Sequence, residues 1–420
     1  MSLAQDLLCR AQELGFAAIG CGPATPLVDH EAILAERLAS GALSAITYFR
    51  PERVPLAARP ELLLLGARSV ISLAWAYDGA QPLPPAGGSH GRVAAYARGL
   101  DYHRTIKAKL RSLTDYLRER EPACRCRAFV DATPLLERAL AQRAGLGWFG
   151  KNNCLIVPGR GSWILLAEVL TTAEVESCPP AEGGCGDCRA CLDACPTGAL
   201  VAPYQHLAGR CLSFLTVELR GPIPEALRPS LGDRVLGCDA CQAACPQNMQ
   251  LGSRQNPVGA GLRAGPVPTW PCGAGRAGHA PPLQSAAGHL TDLRRPSSGE
   301  VEGNADREPG GLPAWLELAS LFDLAAAAFA TRFGGTAGAR PGRARLLRNA
   351  AVVLGNGGDR ASVPILARAL LDPEPLVRGH AAWALGRLGG RAARAALAAA
   401  LRREGDDYVR GEQLGVLDRA

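Results

Sequence analysis

Lysine is almost missing from this chain: 43 arginines stand against 3 lysines in 420 residues. Aromatic residues reach only 5%, and methionine occurs twice. No run of about 18 uninterrupted apolar residues exists, which excludes a helical membrane span. The opening MSLAQDLLCRAQELGFAAIG sets Asp6 and Glu13 among its apolar positions and has no basic lead. It reads as an amphipathic helix rather than a secretory signal, and the expected compartment is the cytoplasm. Equally absent are a GxGxxG turn behind a strand, a phosphate-binding P-loop and a serine or cysteine nucleophile motif. Their absence points away from common dinucleotide, nucleotide-hydrolysing and acyl-transfer sites.

Apolar residues make up 47% and charged residues 20%, the balance of a globular protein long enough for two or three cores. The net charge of +7 is unevenly spread, because residues 341–420 hold 13 arginines against 8 acidic residues. That excess fits either an anionic partner or a solvated basic face.

The chain divides by pattern into an α+β multidomain arrangement. Residues 1–175 alternate helical periodicity with short apolar runs such as SVISLAWAY and read as an α/β domain. Residues 176–250 are cysteine-rich and loop-rich, as suits a small ferredoxin-like domain organised around metal. Residues 251–312 contain 12 glycines and 8 prolines in 62 positions, the composition of an insert or linker. Helical pattern returns over 313–420, where NAAVVLG (349–355) and HAAWALG (380–386) repeat at a spacing of 31 residues. Helix pairs at that period suggest stacked α-solenoid units of the HEAT type, too few to stand alone and therefore packed on what precedes them.

Fifteen cysteines are present, and seven fall in two dense groups. Cys185, Cys188, Cys191 and Cys195 precede Pro196, the bacterial ferredoxin run in which the fourth thiolate serves the other [4Fe-4S] cluster. That pattern requires a second group, and Cys238, Cys241 and Cys245 precede Pro246, with Cys211 between. A crossed arrangement would join Cys185, Cys188, Cys191 and Cys245 on one cluster and Cys195, Cys211, Cys238 and Cys241 on the other. Zinc also uses CxxC pairs, but seldom this triple followed by CP. Cys9, Cys21, Cys124, Cys126, Cys154, Cys178 and Cys272 have no partner pattern and read as incidental thiols. Clusters move single electrons without transforming a substrate. Another protein or an organic cofactor must therefore accept them.

Upstream lies FVDATPLLERALAQRAGLGWFGKNN (129–153). Asp131 follows an apolar strand end, and Thr133 with Pro134 reads as the cap and first turn of a helix. An acid at a strand end beside a glycine loop is a fair place for proton donation, although such a residue alone is more often part of a turn. This stretch, the eight cysteines, AYARGLDYHRTI (95–106) and the tail's LLRNAAVVLGN closely resemble the epoxyqueuosine reductases, which modify tRNA. The resemblance covers residues 1 to about 250 and resumes at about 313.

The resemblance implies a cobalamin-dependent enzyme with two [4Fe-4S] clusters, which reduces epoxyqueuosine at the wobble position of tRNA to queuosine. It implies that Asp131 is the proton donor, a role for which partial burial would have to raise the carboxyl pKa. It carries cobalamin contacts onto Arg50, Tyr96, Asp131, Lys151, Asn152, Ser162, Ser213 and Asp239. The expected partners are a tRNA anticodon stem-loop with its modified base extruded, an unidentified electron donor, and no membrane. A monomer is expected. Asp101-Tyr102-His103 begins like a cobalt-ligating DxHxxG motif, but Ile106 stands in place of the glycine, so His103 reads as not a ligand.

Two features depart from the family. Gln247 replaces the usual tryptophan of CPWN, and the 251–312 segment is unusually long. Two rival readings remain at this point, a reductive dehalogenase-like cobalamin enzyme and a non-catalytic iron-sulfur electron carrier.

Overall fold

In the computed structural model, residues 2–87, 89–131, 134–252 and 311–419 are described. Nearly all of the 251–312 insert, Cys272 and Thr133 lie outside them. Seven strands form the two main sheets: β1 (Ala18–Pro23), β2 (Ser69–Ala76), β3 (His90–Val93), β4 (Cys126–Val130), β5 (Ile164–Thr171), β6 (Arg234–Leu236) and β7 (Trp315–Glu317).

The first sheet has the order β1-β2-β5-β4 and is antiparallel at every pairing. The layout of this mixed helix and sheet domain is thus helices on an antiparallel sheet. The sequence does not show that direction because β2 is buried on both faces, and a strand covered on both faces loses the alternation that marks antiparallel sheets. Helices α1 (Leu3–Glu13) and α2 (Tyr102–Arg120) cover one face. Ser2 caps α1 through a reciprocal bond with Gln5, and Asp101 caps α2 by accepting the His103 N–H at 3.0 Å. Ile106, Leu110, Leu113 and Leu117, spaced by four, three and four, line the buried side of α2 and meet Leu7 and Ala11 of α1. Each such leucine buried contributes about 1.5–3 kcal/mol. Helix α3 (Glu137–Arg143) covers the other face. Gly20 is required there, since a Cβ would collide with the Ala144 carbonyl.

The second sheet ties distant parts of the chain together. Strand β3 pairs in parallel with β6 and antiparallel with β7, so residues from 90, 234 and 315 share one ladder. The tail then runs through helices α4 (Gly342–Gly357), α5 (Val363–Ala369), α6 (Pro375–Leu388), α7 (Gly390–Leu401) and α8 (Asp407–Asp418). The two repeated motifs occupy equivalent places. Gly355 ends the first and lets α4 approach α6, where an added Cβ would stand 2.8 Å from the Ala384 Cα. Gly386 ends the second and accommodates Val416 of α8 in the same way. The repeats' first residues are also equivalent: Asn349 donates to the Thr216 and Val235 carbonyls at 2.8 and 2.9 Å, while His380 Nε2 accepts the Ile223 N–H at 3.1 Å. The solenoid thus docks on residues 215–236 through one buried polar position per repeat. Among the described residues no helix is long and apolar enough to cross a membrane.

Candidate active site

Asp131 leaves β4 in the left-handed region at φ 53°, which aspartate tolerates better than bulkier residues. Its Oδ2 accepts the Tyr102 hydroxyl at 2.6 Å, lies 3.1 Å from Arg340 Nη1 and 3.6 Å from His103 Nε2. The side chain remains 41% exposed, so it faces solvent as well as these partners. Tyr102 and His103 come from the first turn of α2. Arg340 comes from the tail, 209 residues away in sequence, and its other nitrogen pairs with Glu218 at 2.9 Å. Three remote segments therefore meet on one carboxylate. Burial pushes Tyr102 well above the ordinary phenol range and Asp131 adds to it, so the phenol keeps its proton and acts as donor. Burial works against the Arg340 cation, but Glu218 and Asp131 outweigh it and hold that guanidinium charged.

The helix after Asp131 begins later than the sequence suggests. It starts at Glu137, and its cap Leu136 makes no side-chain bond. Pro134 precedes the helix because Leu135 turns into the apolar core and the Leu136 N–H bonds to the Ala57 carbonyl at 3.0 Å. His103 Nδ1 lies 2.7 Å from Asp101 Oδ1. Its two nitrogens thus face Asp101 and Asp131, the geometry of a held imidazole.

The eight candidate ligand cysteines gather between two short helices, Ala190–Asp193 and Ala240–Ala243, which pack on each other. Cys245 lies within electrostatic reach of Cys185 and Cys188, and Cys191 of Cys185, Cys241 and Cys245. Cys211 and Cys238 neighbour Cys241, and Cys195 neighbours both Cys211 and Cys241. Burial pushes Cys191 up to about 11 and Cys238 up to about 12. These thiols hold their protons until iron displaces them. Among the described residues no three His, Cys, Asp or Glu side chains converge on a point that a single ion would occupy. Cys154, which reads from sequence as incidental, lies against Cys241.

The residues carried over toward cobalamin divide into three groups. Tyr96, pushed up to about 12 by burial, lies within electrostatic reach of Asp131, Arg340 and Asp239. Asn152, Ser162 and Asp239 are buried and bonded inside the protein. Asn152 Oδ1 accepts the Cys154 N–H at 3.1 Å, and Ser162 is held by Asn248 and Gln242. Asp239 Oδ2 accepts the Ala95 N–H at 2.8 Å, while its Oδ1 is enclosed with no partner among the described residues. Lys151 Nζ donates to the carbonyls of Gly186 and Cys188, Ser213 is half-buried in Leu212–Val217, and Arg50 is exposed with Nε on the Thr47 carbonyl. The orphaned Asp239 oxygen, close to Cys238 and Tyr96, fits a polar cofactor edge. Sequence reasoning missed Tyr102, Glu218, Arg340 and Asn248. Tyr102 and Asn248 had local signals, the first within AYARGLDYHRTI and the second as the last residue of CPQN.

The comparisons agree along the whole length. Residues 58–132 match the family described as Epoxyqueuosine reductase QueG, DUF1730, residues 184–248 the 4Fe-4S double cluster binding domain, and residues 340–417 HEAT repeats. An epoxyqueuosine reductase of Listeria monocytogenes is 33% identical over 97% of this chain and 95% of its own. One from Burkholderia pseudomallei is 35% identical over 91% of each. A crystal structure of epoxyqueuosine reductase with an epoxyqueuosine-modified tRNA-Tyr stem loop superposes with a TM-score of 0.80 at 30% identity, covering 99% of this chain and 98% of the other. A Bacillus subtilis epoxyqueuosine reductase, whose catalytic loop is swung out of the active site, gives 0.79 at 30% identity, with 99% and 98% covered. On this breadth of agreement, the chain belongs to the epoxyqueuosine reductase family.

Proposed function

We propose that this chain reduces epoxyqueuosine to queuosine at the wobble position of a tRNA, with Asp131 as the acid. The observation that carries the reading is the junction at Asp131, where an acid at a strand end meets Tyr102, His103 and the tail's Arg340. Converting an epoxide to an alkene takes two electrons and two protons and releases water. Asp131 delivers a proton to the departing oxygen, and Tyr102 fixes the carboxyl oxygen that is not presented.

The two thiol sets are assigned to [4Fe-4S] clusters in the crossed order, Cys185, Cys188, Cys191 and Cys245 against Cys195, Cys211, Cys238 and Cys241. The proximity of Cys245 to Cys185 and Cys188, and of Cys211 to Cys195 and Cys238, supports that order. Cobalamin, when bound, would supply a strongly reducing cobalt centre for this two-electron chemistry. Tyr96 and Asp239, together with Arg50, Asp131, Lys151, Asn152, Ser162 and Ser213, are the residues that would hold it. The basic tail supports an anticodon stem-loop as the substrate, with affinity that falls as salt rises. A single chain in the cytoplasm, with domains at 1–175, 176–250 and 313–420 and the 251–312 insert between, completes the reading.

The test is nucleoside mass spectrometry of tRNA from cells lacking their own reductase, after expression of this chain or of Asp131→Asn. Queuosine formed by the native chain and lost with the variant is expected. Full conversion by Asp131→Asn would remove the acid assignment. Persistence of epoxyqueuosine with a native chain that carries iron and cobalt would remove the substrate.

A further inference from the structure

Cys21 and Cys178 are 157 residues apart in sequence, yet they share two hydrogen bonds. The Cys178 N–H donates to the Cys21 carbonyl at 2.8 Å, and the Cys21 N–H donates to Cys178 Sγ at 3.2 Å. Both outward-facing polar groups of Cys21 on β1, an edge strand, are thus covered by the segment that follows β5. The side chains meet as well, since the two thiols hydrogen-bond to each other directly, and such close approach is what a disulfide requires. The two sulfurs are unlinked, with Cys21 buried in the core and Cys178 half-exposed.

The environments of the two thiols differ in a way that assigns their roles. Cys178 is lowered to about 7, first by the Cys21 thiol and then by the Cys21 N–H, against the effect of burial. Cys21 is pushed well above the ordinary range by Cys178 and by burial, and the Glu176 carboxylate adds to this. Glu176 itself accepts the Ala4 N–H at 3.1 Å. One sulfur is therefore an accessible nucleophile and the other a sheltered partner in contact with it.

We propose that Cys21 and Cys178 form a reversible dithiol–disulfide site, with Cys178 as the attacking thiolate and Cys21 as the resolving thiol, oxidised by low-molecular-weight disulfides. The Cys178 thiolate attacks one sulfur of the small disulfide, an S–S bond forms to the protein, and the first small thiolate leaves and takes a proton. Cys21 then loses its proton and attacks Cys178 Sγ, which forms the internal disulfide and expels the second small thiol. Two protein thiols are oxidised and one small disulfide is reduced to two thiols. The closed bond fastens the chain entering the cluster segment, seven residues before Cys185, to the edge of the first sheet.

The test uses the full-length, anaerobically purified holoprotein, exposed to oxidised glutathione and mapped by non-reducing peptide mass spectrometry. The native chain is expected to give a linked Cys21–Cys178 peptide two hydrogens lighter than the free pair and reversible with dithiothreitol. Cys21→Ser is expected to stop at a glutathione adduct on Cys178, and Cys178→Ser to give neither product. Alkylation of Cys178 at pH 7 should slow roughly tenfold in Cys21→Ala, as its thiolate fraction falls from about half to a few per cent. A native chain that accumulates the Cys178 adduct without the linked peptide would overturn the pairing. Linkage seen only after unfolding in urea would overturn the site. These readouts do not depend on turnover, so they stand or fall apart from the enzymatic assignment.

Discussion

Replacing Arg348 by methionine tests how the solenoid is held against the cluster segment. Arg348 is fully buried in α4. Its Nη1 donates to the carbonyls of Leu219 and Gly221 at 2.8 and 2.7 Å, its Nη2 to the Leu215 carbonyl, and its Nε to Asn349 Oδ1 at 3.0 Å. No carboxylate is among these partners, and burial pushes the guanidinium down to about 9, which still leaves it cationic at neutral pH. The charge is held by carbonyl dipoles alone. Methionine preserves the apolar stem but leaves one buried and two part-buried carbonyls without this donor, each worth about 1–2 kcal/mol. Relief of the buried charge returns part of that sum, so the net loss is on the order of 3 kcal/mol. For a unit of this size about 2–4 °C is lost per kcal/mol. The helical transition in a thermal melt should therefore fall by roughly 6–12 °C, with earlier proteolysis between residues 340 and 420. Arg348→Lys should lie between the two, because a single ammonium cannot reach all four acceptors. A melt displaced by less than about 2 °C, with the tail still protected, would refute the claim that this cation docks the solenoid.

Two further outcomes follow from buried groups. Glu168 of β5 is fully buried, and among the described residues both its carboxyl oxygens lack a partner; burial, then Glu137 and Asp131, push it well above the usual carboxyl range. Glu137 is likewise pushed up to about 8, by burial and by Asp131. The folded state keeps protons that the unfolded state releases above about pH 4.5, so these groups weaken the fold as pH rises from there through about 8. Glu168→Gln mimics the protonated acid, and its melting temperature should match the native value near pH 5 and exceed it progressively toward pH 8; a constant difference across that range would sink the argument. For the clusters, Cys188→Ser, Cys245→Ser and their double variant should each retain about four of about eight iron atoms, because these thiols serve one cluster. Combining Cys188→Ser with Cys241→Ser should remove nearly all the iron, and a Cys188–Cys245 double variant that lost both clusters would break the crossed assignment.

The cluster ligands were legible because their chemistry is written locally: thiolates that share a cluster must recur at short fixed spacings. The solenoid was legible for a related reason, since a repeated unit repeats its packing glycine, seen at Gly355 and Gly386. The direction of the first sheet was not legible. Apolar runs such as Val70–Ala74 record that a strand is covered on both faces, not which way its neighbours run. The three-residue strands β6 and β7 are too short for any periodicity, and their partner β3 lies over 140 residues from the nearer of them.

The Asp131 site shows why the remaining part was hidden. Its position after an apolar run marked Asp131 as a candidate, but such a carboxylate is ordinary until its partners are known. Tyr102 and His103 lie about 30 residues upstream, and Arg340 lies beyond the insert, in a stretch with no motif of its own. What places Arg340 is packing: Asn349 and Arg348 fasten α4 to residues 215–221, and Arg345 donates to the carbonyls of Val217 and Glu218 at 3.0 and 3.2 Å. Those contacts also bring Glu218 within 2.9 Å of Arg340. The tail's arginines therefore do two different kinds of work that composition cannot separate. Some form a solvated cationic surface, whereas the buried Arg348, the half-buried Arg345 and the part-exposed Arg340 join the solenoid, the cluster segment and the acid at one junction.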